Sequence, residues 1–450
     1  MFHATKYILL FFVGFTIPME SMGTFHVAGY PVGPNKIATG LLLIFAFLAW
    51  PITGRGIPWN RKHPWVILFA VAVVAGTLSS LLRGGLPLFT VGTVWSSYAA
   101  VLTFSFLLPL SVTAPRDLRV FLGGLVLGAV AAVAGGLAGA EHLQGEERFV
   151  GTEGNPNELA GGLVVALPVI FGFFFASRSL VRKSVMLGGA GLALMGIIVS
   201  LSRAGFLSLV VMGGLWVLRF RSLKTLGYLL PLAVLSAGVL ALAPQAFFER
   251  VETIHPEQAT EDSSVQKRLL MDYWAARALL EHPFLGVGVR QAGTFANAHD
   301  RRIGRGHSVH HAFLEVGAEL GLAGLIPMLM FIGLTWLDYS QVRGVARFPA
   351  LRADPELQQL AWWATFLQLS FAGAMVMAQF HPTTRDKTLW MLIGLSSALV
   401  AMARSRIQML QERPTEADRE LSQAQVPPRW TPWPASHGEP KSTCAAPSQS

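Results

Sequence analysis

The apolar residues of this chain are gathered into runs of about 17 to 25, the length that crosses a bilayer as a helix. Twelve can be marked off, at roughly 5–27, 36–52, 64–82, 88–111, 118–140, 157–176, 183–201, 204–220, 225–245, 309–337, 358–380 and 388–404. With 52% of 450 residues hydrophobic and only 14% charged, the polar residues are too few to wrap a water-soluble core of this size. A helix satisfies its own backbone hydrogen bonds in lipid, so the pattern predicts an all-α polytopic membrane protein of about twelve transmembrane helices.

Orientation follows from where Lys and Arg fall in the short loops. Alternate loops hold Arg55, Arg61 and Lys62; Arg116 and Arg119; Arg178, Arg182 and Lys183; Arg219, Arg221 and Lys224; Arg343, Arg347 and Arg352. The loops between them are poorer in base. The five basic loops and both termini are therefore expected inside. The first run lacks a small-residue cleavage site after a basic start and reads as an uncleaved first helix. The net charge of +9 is spread over the inner loops without interleaved aromatics, which points to anionic membrane lipids and not to nucleic acid. The one cysteine, Cys444, can form no disulfide within the chain.

Four segments follow from this reading. Residues 1–245 carry spans one to nine, 246–308 form one large outer loop, 309–405 carry spans ten to twelve, and 406–450, rich in Pro, Ser and Gln, form a disordered inner tail. No internal repeat is visible, which counts weakly against a carrier. Within the outer loop, Ser263 or Ser264 can cap a helix from about Val265 to Leu280, with Leu269, Leu270, Trp274 and Leu279 at roughly helical spacing.

Chemistry can sit at a few places. In "GHSVHHAFLEVGAELGLAG" His310 lies at the membrane boundary, where a histidine can accept a proton near neutral pH or can simply be an interfacial polar group. A metal on His307, His310 and His311 is disfavoured by the surrounding arginines and the lack of upstream carboxylates. Arg203, alone between two apolar runs, is costly unless it meets water, a partner or an anion. Arg268, beside Lys267, is either a solvated residue of an amphipathic helix or part of a cluster with Arg203, the loop residues Arg301, Arg302 and Arg305, and His310, all expected outside. Such a cluster suits a diphosphate leaving group, because guanidinium forks bind phosphate oxygens and stay charged. In "GTEGNPNELAGG", Asn155 or Asn157 can cap the next helix, and Glu153 and Glu158 could contact sugar hydroxyls.

These residues resemble a known family. "HHAFLEVGAELGLAG" is similar to the signature of the O-antigen ligase and polymerase superfamily, with His310 as its histidine and Phe313, Leu314, Glu315, Glu319, Gly321 and Gly324 following. "RLLMDYWAARALLEHPFLGVG" is similar to its Arg, Trp and His-Pro pattern through Arg268, Trp274, His282, Pro283, Gly286 and Gly288, and "SLSRAG" to its Ser-Arg turn at Arg203. The chain departs at His311, where the family commonly has Asn or Ser, so either histidine could be the base.

The resemblance implies a membrane glycosyltransferase of the bacterial inner membrane, with the outer loop and active site periplasmic. Its donor would be a glycan linked to undecaprenyl diphosphate, its acceptor lipid A core or another glycan, with neither metal nor cofactor. His310 would be catalytic and Arg203 and Arg268 would hold the donor diphosphate, with Glu315, Arg302, Arg305 and His311 as accessory candidates. The ligase-type reading is preferred. The alternatives are a polysaccharide polymerase, a protein-glycosylating relative, and a transporter of the lipid-linked oligosaccharide.

Overall fold

The structure, a computed structural model, describes residues 2–19, 25–27, 30–53, 58–85, 87–138, 149–152, 155–219, 263–303 and 308–412. In chain order its helices are α1 (Phe2–Thr16), α2 (Pro34–Thr53), α3 (His63–Leu82), α4 (Leu88–Ser111), α5 (Pro115–Ala138), α6 (Pro156–Ala176), α7 (Leu180–Val199), α8 (Arg203–Arg219), α9 (Ser263–Glu281), α10 (Ala292–His299), α11 (Ala312–Gly344), α12 (Pro349–Arg352), α13 (Pro355–Met377) and α14 (Lys387–Glu412). Eight helices among the described residues are long and apolar enough to cross a membrane, and α1 and α2 are shorter apolar helices. The protein is a polytopic helical membrane protein. The ninth apolar run, 225–245, the start of the outer loop and the tail beyond residue 412 lie outside the described residues.

Two expectations need correction. The first run, read as one helix over 5–27, ends at Thr16 and passes through a 3-10 turn at Ile17–Met19. Pro18 has no N–H to donate, so the helical ladder cannot run on through it. Strands β1 (Phe25–Val27) and β2 (Tyr30–Val32) then pair as a small antiparallel hairpin, which the all-α expectation did not include. The residues involved, Phe25, Val27, Tyr30 and Val32, are aromatic or β-branched and favour a pleated ribbon.

The second correction concerns the tenth run. The 33 residues of α11 would be about 50 Å long as a straight helix, well beyond the hydrocarbon thickness of about 30 Å. Gly321, at φ 61° and ψ −158°, breaks it. The segment is therefore two helices, Ala312–Leu320 and Leu322–Gly344, and the second is by itself long enough to cross a membrane. The loop after α9 fills the break: Leu322 N–H donates to Pro283 O (2.7 Å) and Ala323 N–H to Phe284 O (3.1 Å). In return Val287 and Gly288 N–H donate to the carbonyls of Ala318 (2.8 Å) and Glu319 (2.9 Å). The interruption thus leaves these backbone groups paired, as burial requires. The His-Pro-Phe-Leu-Gly-Val-Gly segment and the Glu-Leu-Gly segment are two halves of one joint.

α13 and α14 occupy the middle, with Trp363, Phe366, Phe371 and Trp390 fully buried. Loops that the Lys and Arg pattern assigns to the same side meet at the same end. At one end Lys6 pairs with Asp117 (2.6 Å), Arg61 and Lys62 with Asp338 (3.0 Å each) and Arg406 with Asp354 (2.7 Å). At the other, Gln291 Nε2 donates to Gly85 O (2.9 Å), Ser202 to Asn157 (3.0 Å) and Arg385 to Glu315. The joint, α9 and α10 belong to this second end. They enclose a small satellite core of Met271, Ala275, Ala278, Val287, Ala296, Ile303 and Ala318.

Candidate functional site

At the end that carries the joint, α9 forms over Ser263–Glu281, as its spacing predicts, but its buried stripe is Met271, Ala275 and Ala278, and Leu269 points outward. Asn155 is the cap of α6: its side chain accepts from Asn157 N–H at 2.9 Å. Asn157 in turn accepts from Ser202 Oγ, and Gly205 packs on Ala160, so the starts of α6 and α8 stand side by side. That contact fixes Arg203, the first and half-buried residue of α8.

Arg268 is exposed on α9. One helical turn on, the half-buried Asp272 feels both Arg268 and His311. Burial holds its carboxyl above the usual range, and His311 and Arg268 act in the other direction. The structure thus brings α9 and the start of α11 together around one carboxylate. On the opposite flank, His381 follows α13 and lies 3.8 Å from Glu158 of α6. Burial first, then the charges of Arg268 and Arg385, push the His381 imidazole down to about 4. Arg203, Arg268, His381 and the two histidines of α11 are therefore connected through their immediate neighbours.

The depressed His381 value has a consequence for stability. An imidazole neutral in the fold but titrating near 6.5 when unfolded contributes stability that is complete above about 6.5 and is lost as pH falls toward 4. Thermal unfolding of the detergent-solubilised protein should show a lower midpoint at pH 5 than at pH 7.5, and His381→Gln should reduce that difference. An identical pH response in the variant would remove His381 as its source.

His311 and His310 are placed differently. His311 is the cap of α11, its Nδ1 accepting from Leu314 N–H at 3.4 Å. In the neutral ring its remaining nitrogen, Nε2, then carries the proton, so His311 can act as a base only by giving up the cap. His310, half-buried just before it, does not cap the helix. The start of α11 is tied down by Ala312 N–H on Ala378 O (2.9 Å).

The accessory candidates part company. Glu315 is buried, accepting from Thr384 Oγ1 (2.9 Å) and pairing with Arg385 Nη2 (3.2 Å). Arg302 is bound as a fork to Asp300 (3.0 and 2.6 Å) with its side chain 77% exposed, a contact within its own loop. Arg305, His307 and Glu153 lie outside the described residues. Among the described residues no group of three or more His, Cys, Asp or Glu is placed to hold a metal.

Sequence reading passed over three residues here. Asp272 stands one turn from Arg268 on the same helix, a spacing visible in the sequence. Arg385 was read only as a loop base, since nothing before folding links it to Glu315. Arg290 is the third residue of the turn Gly288–Gln291, closed by Gln291 N–H on Gly288 O (3.1 Å), and has φ 58°. A turn position of that hand is one glycine usually fills, and a non-glycine residue there costs about 1–3 kcal/mol.

Residues 188–329 match the family model described as O-Antigen ligase. No curated protein matches the chain. The matched stretch runs from α7 through the break in α11, so it holds Arg203, Arg268, Asp272 and His310 together with both halves of the joint.

Proposed function

We propose, from the match of residues 188–329 to the O-antigen ligase family model, that this chain transfers a glycan from undecaprenyl diphosphate to an acceptor hydroxyl at the outer face of the bacterial inner membrane. The observation that carries this reading is that Arg268 of α9 and His311, the neighbour of His310 before α11, both act on the half-buried Asp272. Three roles follow. Arg203 and Arg268 hold the donor diphosphate, whose negative charge grows as the bond to the anomeric carbon breaks. His310 takes the proton of the acceptor hydroxyl as its oxygen attacks that carbon from the opposite face. The linkage formed is therefore inverted, and undecaprenyl diphosphate leaves.

Asp272 balances part of the positive charge that collects when His310 is protonated between arginines. No metal is required, because the guanidinium groups meet the charge that a cation would otherwise offset.

The test is transfer by the purified chain from an undecaprenyl-diphosphate glycan, offered with lipid A core or with donor alone. A product on lipid A core is expected and makes the chain a ligase. A ladder of longer donor-linked chains makes it a polymerase, the second reading that the same domain supports. No transfer in either reaction by folded protein would overturn both.

A further inference from the structure

One feature of this end is not used by the transfer chemistry. Arg290 and Arg385 come from distant parts of the chain, the joint and the loop before α14, yet both border the Glu315–Glu319 turn of α11: Arg385 pairs with Glu315, and Gly288, two residues before Arg290, donates to Glu319 O. The Arg385 charge acts on Arg290, and like charges repel unless something negative lies between or behind them. Behind them stand Glu315, paired with Arg385, and the buried Glu319. Desolvation, and next the Arg385 charge, lower the Arg290 guanidinium from its usual value, while Glu319 and Glu315 act in the other direction.

Neither guanidinium is used up by the fold. Of its five N–H groups Arg385 commits one, to Glu315, and among the described residues Arg290 makes no side-chain hydrogen bond. Arg290 is also exposed and held in the left-handed turn conformation, so its side chain is displayed at a conformational cost that glycine would avoid. Packing does not require an arginine there.

The placement is rigid. Val289 N–H donates to Gly76 O (3.3 Å), Ser80 Oγ donates to Val289 O (3.1 Å), and Gln291 Nε2 bonds Gly85 O, which docks the turn on the end of α3. Arg203 is the first residue of α8, whose start stands beside that of α6.

We propose that Arg290 and Arg385 form a second anion subsite that takes a phosphate or carboxylate group of the acceptor glycan. The inference rests on the glycosyl-transfer reading for the word acceptor, but binding at the subsite does not need turnover. With Arg203 and Arg268 on the donor diphosphate, the second pair selects acceptors that bring their own negative charge.

The test is equilibrium binding to the full chain in nanodiscs, using a phosphorylated core oligosaccharide, the same oligosaccharide after chemical dephosphorylation, and a uronic-acid oligosaccharide. Arg290→Gly relaxes the strained turn and should leave the thermal midpoint unchanged or higher. Affinity for the charged probe should nevertheless fall by about tenfold, the scale of one charge-assisted fork. Loss with the phosphorylated probe alone identifies phosphate as the group, and loss with the uronate probe alone identifies carboxylate.

The dephosphorylated probe should bind both proteins equally. Arg385→Lys, which keeps the charge on Glu315, should fall between wild type and Arg290→Gly. His310→Ala should bind like wild type, so a failure of the transfer chemistry is read separately from a failure of the subsite. Equal affinity of wild type and Arg290→Gly for both charged probes would overturn the proposal. So would a variant that weakens only the donor diphosphate, measured with inorganic pyrophosphate.

Discussion

Replacing His310 with alanine should lower turnover by about 10²–10⁴-fold, the usual contribution of a positioned general base, with little change in donor binding or thermal midpoint. The neighbouring histidine makes this a sharp comparison. His311 caps α11, and asparagine is among the best capping residues. His311→Asn should therefore retain both fold and most activity, whereas His311→Ala should lose about 0.5–2 kcal/mol of stability with activity following the fold.

The pH profile adds a second readout. If His310 takes the acceptor proton, the rate in wild type should fall as the imidazole protonates on the acid side, and that limb should be absent from the residual rate of His310→Ala. Transfer assays across pH on the three variants, normalised to folded protein, decide the matter. Normal turnover in His310→Ala, or loss in His311→Asn with an intact fold, would move the base to another residue.

The parts of this protein legible in the sequence are those set by local chemistry. Apolar runs marked the eight long helices found among the described residues, the Asn155/Asn157 pair the start of α6, and the amphipathic spacing α9, because each depends on neighbours within a few residues. Of the apolar stripe of α9, Leu270 and Trp274 pack on the satellite core, whereas Leu269 faces outward although its spacing fits. Which face of a helix is covered depends on what packs there, and here the packing partners are α10 and the joint. The end of α1 at Pro18 could have been read from the proline rule, but hydropathy alone ran through it.

Arg203, Arg268 and His310 could be named from the sequence as candidates. The residues around them could not. Arg385 and Arg290 gain their meaning from contacts between distant segments, 70 residues apart for Arg385 and Glu315 and 209 for Val289 and Ser80, and no spacing rule encodes them. The division of labour between His310 and His311 likewise depends on which ring faces the first turn of α11. Sequence left that choice open, and the cap geometry separates the two.

Gly321→Ala should have the other large effect, and it tests the joint itself. At φ 61° any L-residue other than glycine is strained. A Cβ at this position would also lie 2.5 Å from the carbonyl carbon and oxygen of Phe284, which are backbone atoms that cannot rotate away. Gly286 is the matching half: at φ 63°, its Cβ would lie 2.4 Å from the Glu319 carbonyl carbon.

Alanine at 321 would favour straightening α11 and restoring its own ladder, at the expense of the four backbone bonds that hold residues 283–288 in the break. The strain and overpacking together should cost about 2–5 kcal/mol locally. Insertion into the membrane should survive, because α11 stays apolar, but Glu319 and Arg290 would lose their fixed relation to His310 and transfer should fall with them. Hydrogen exchange at Val287, Gly288, Leu322 and Ala323 should accelerate together. Gly333→Ala is the control: that glycine lies within the span, and a Cβ there meets nothing within 4 Å. Substitution at 333 should be neutral or slightly stabilising. If Gly321→Ala kept wild-type exchange and thermal midpoint, the break in α11 would not be held by the loop that fills it.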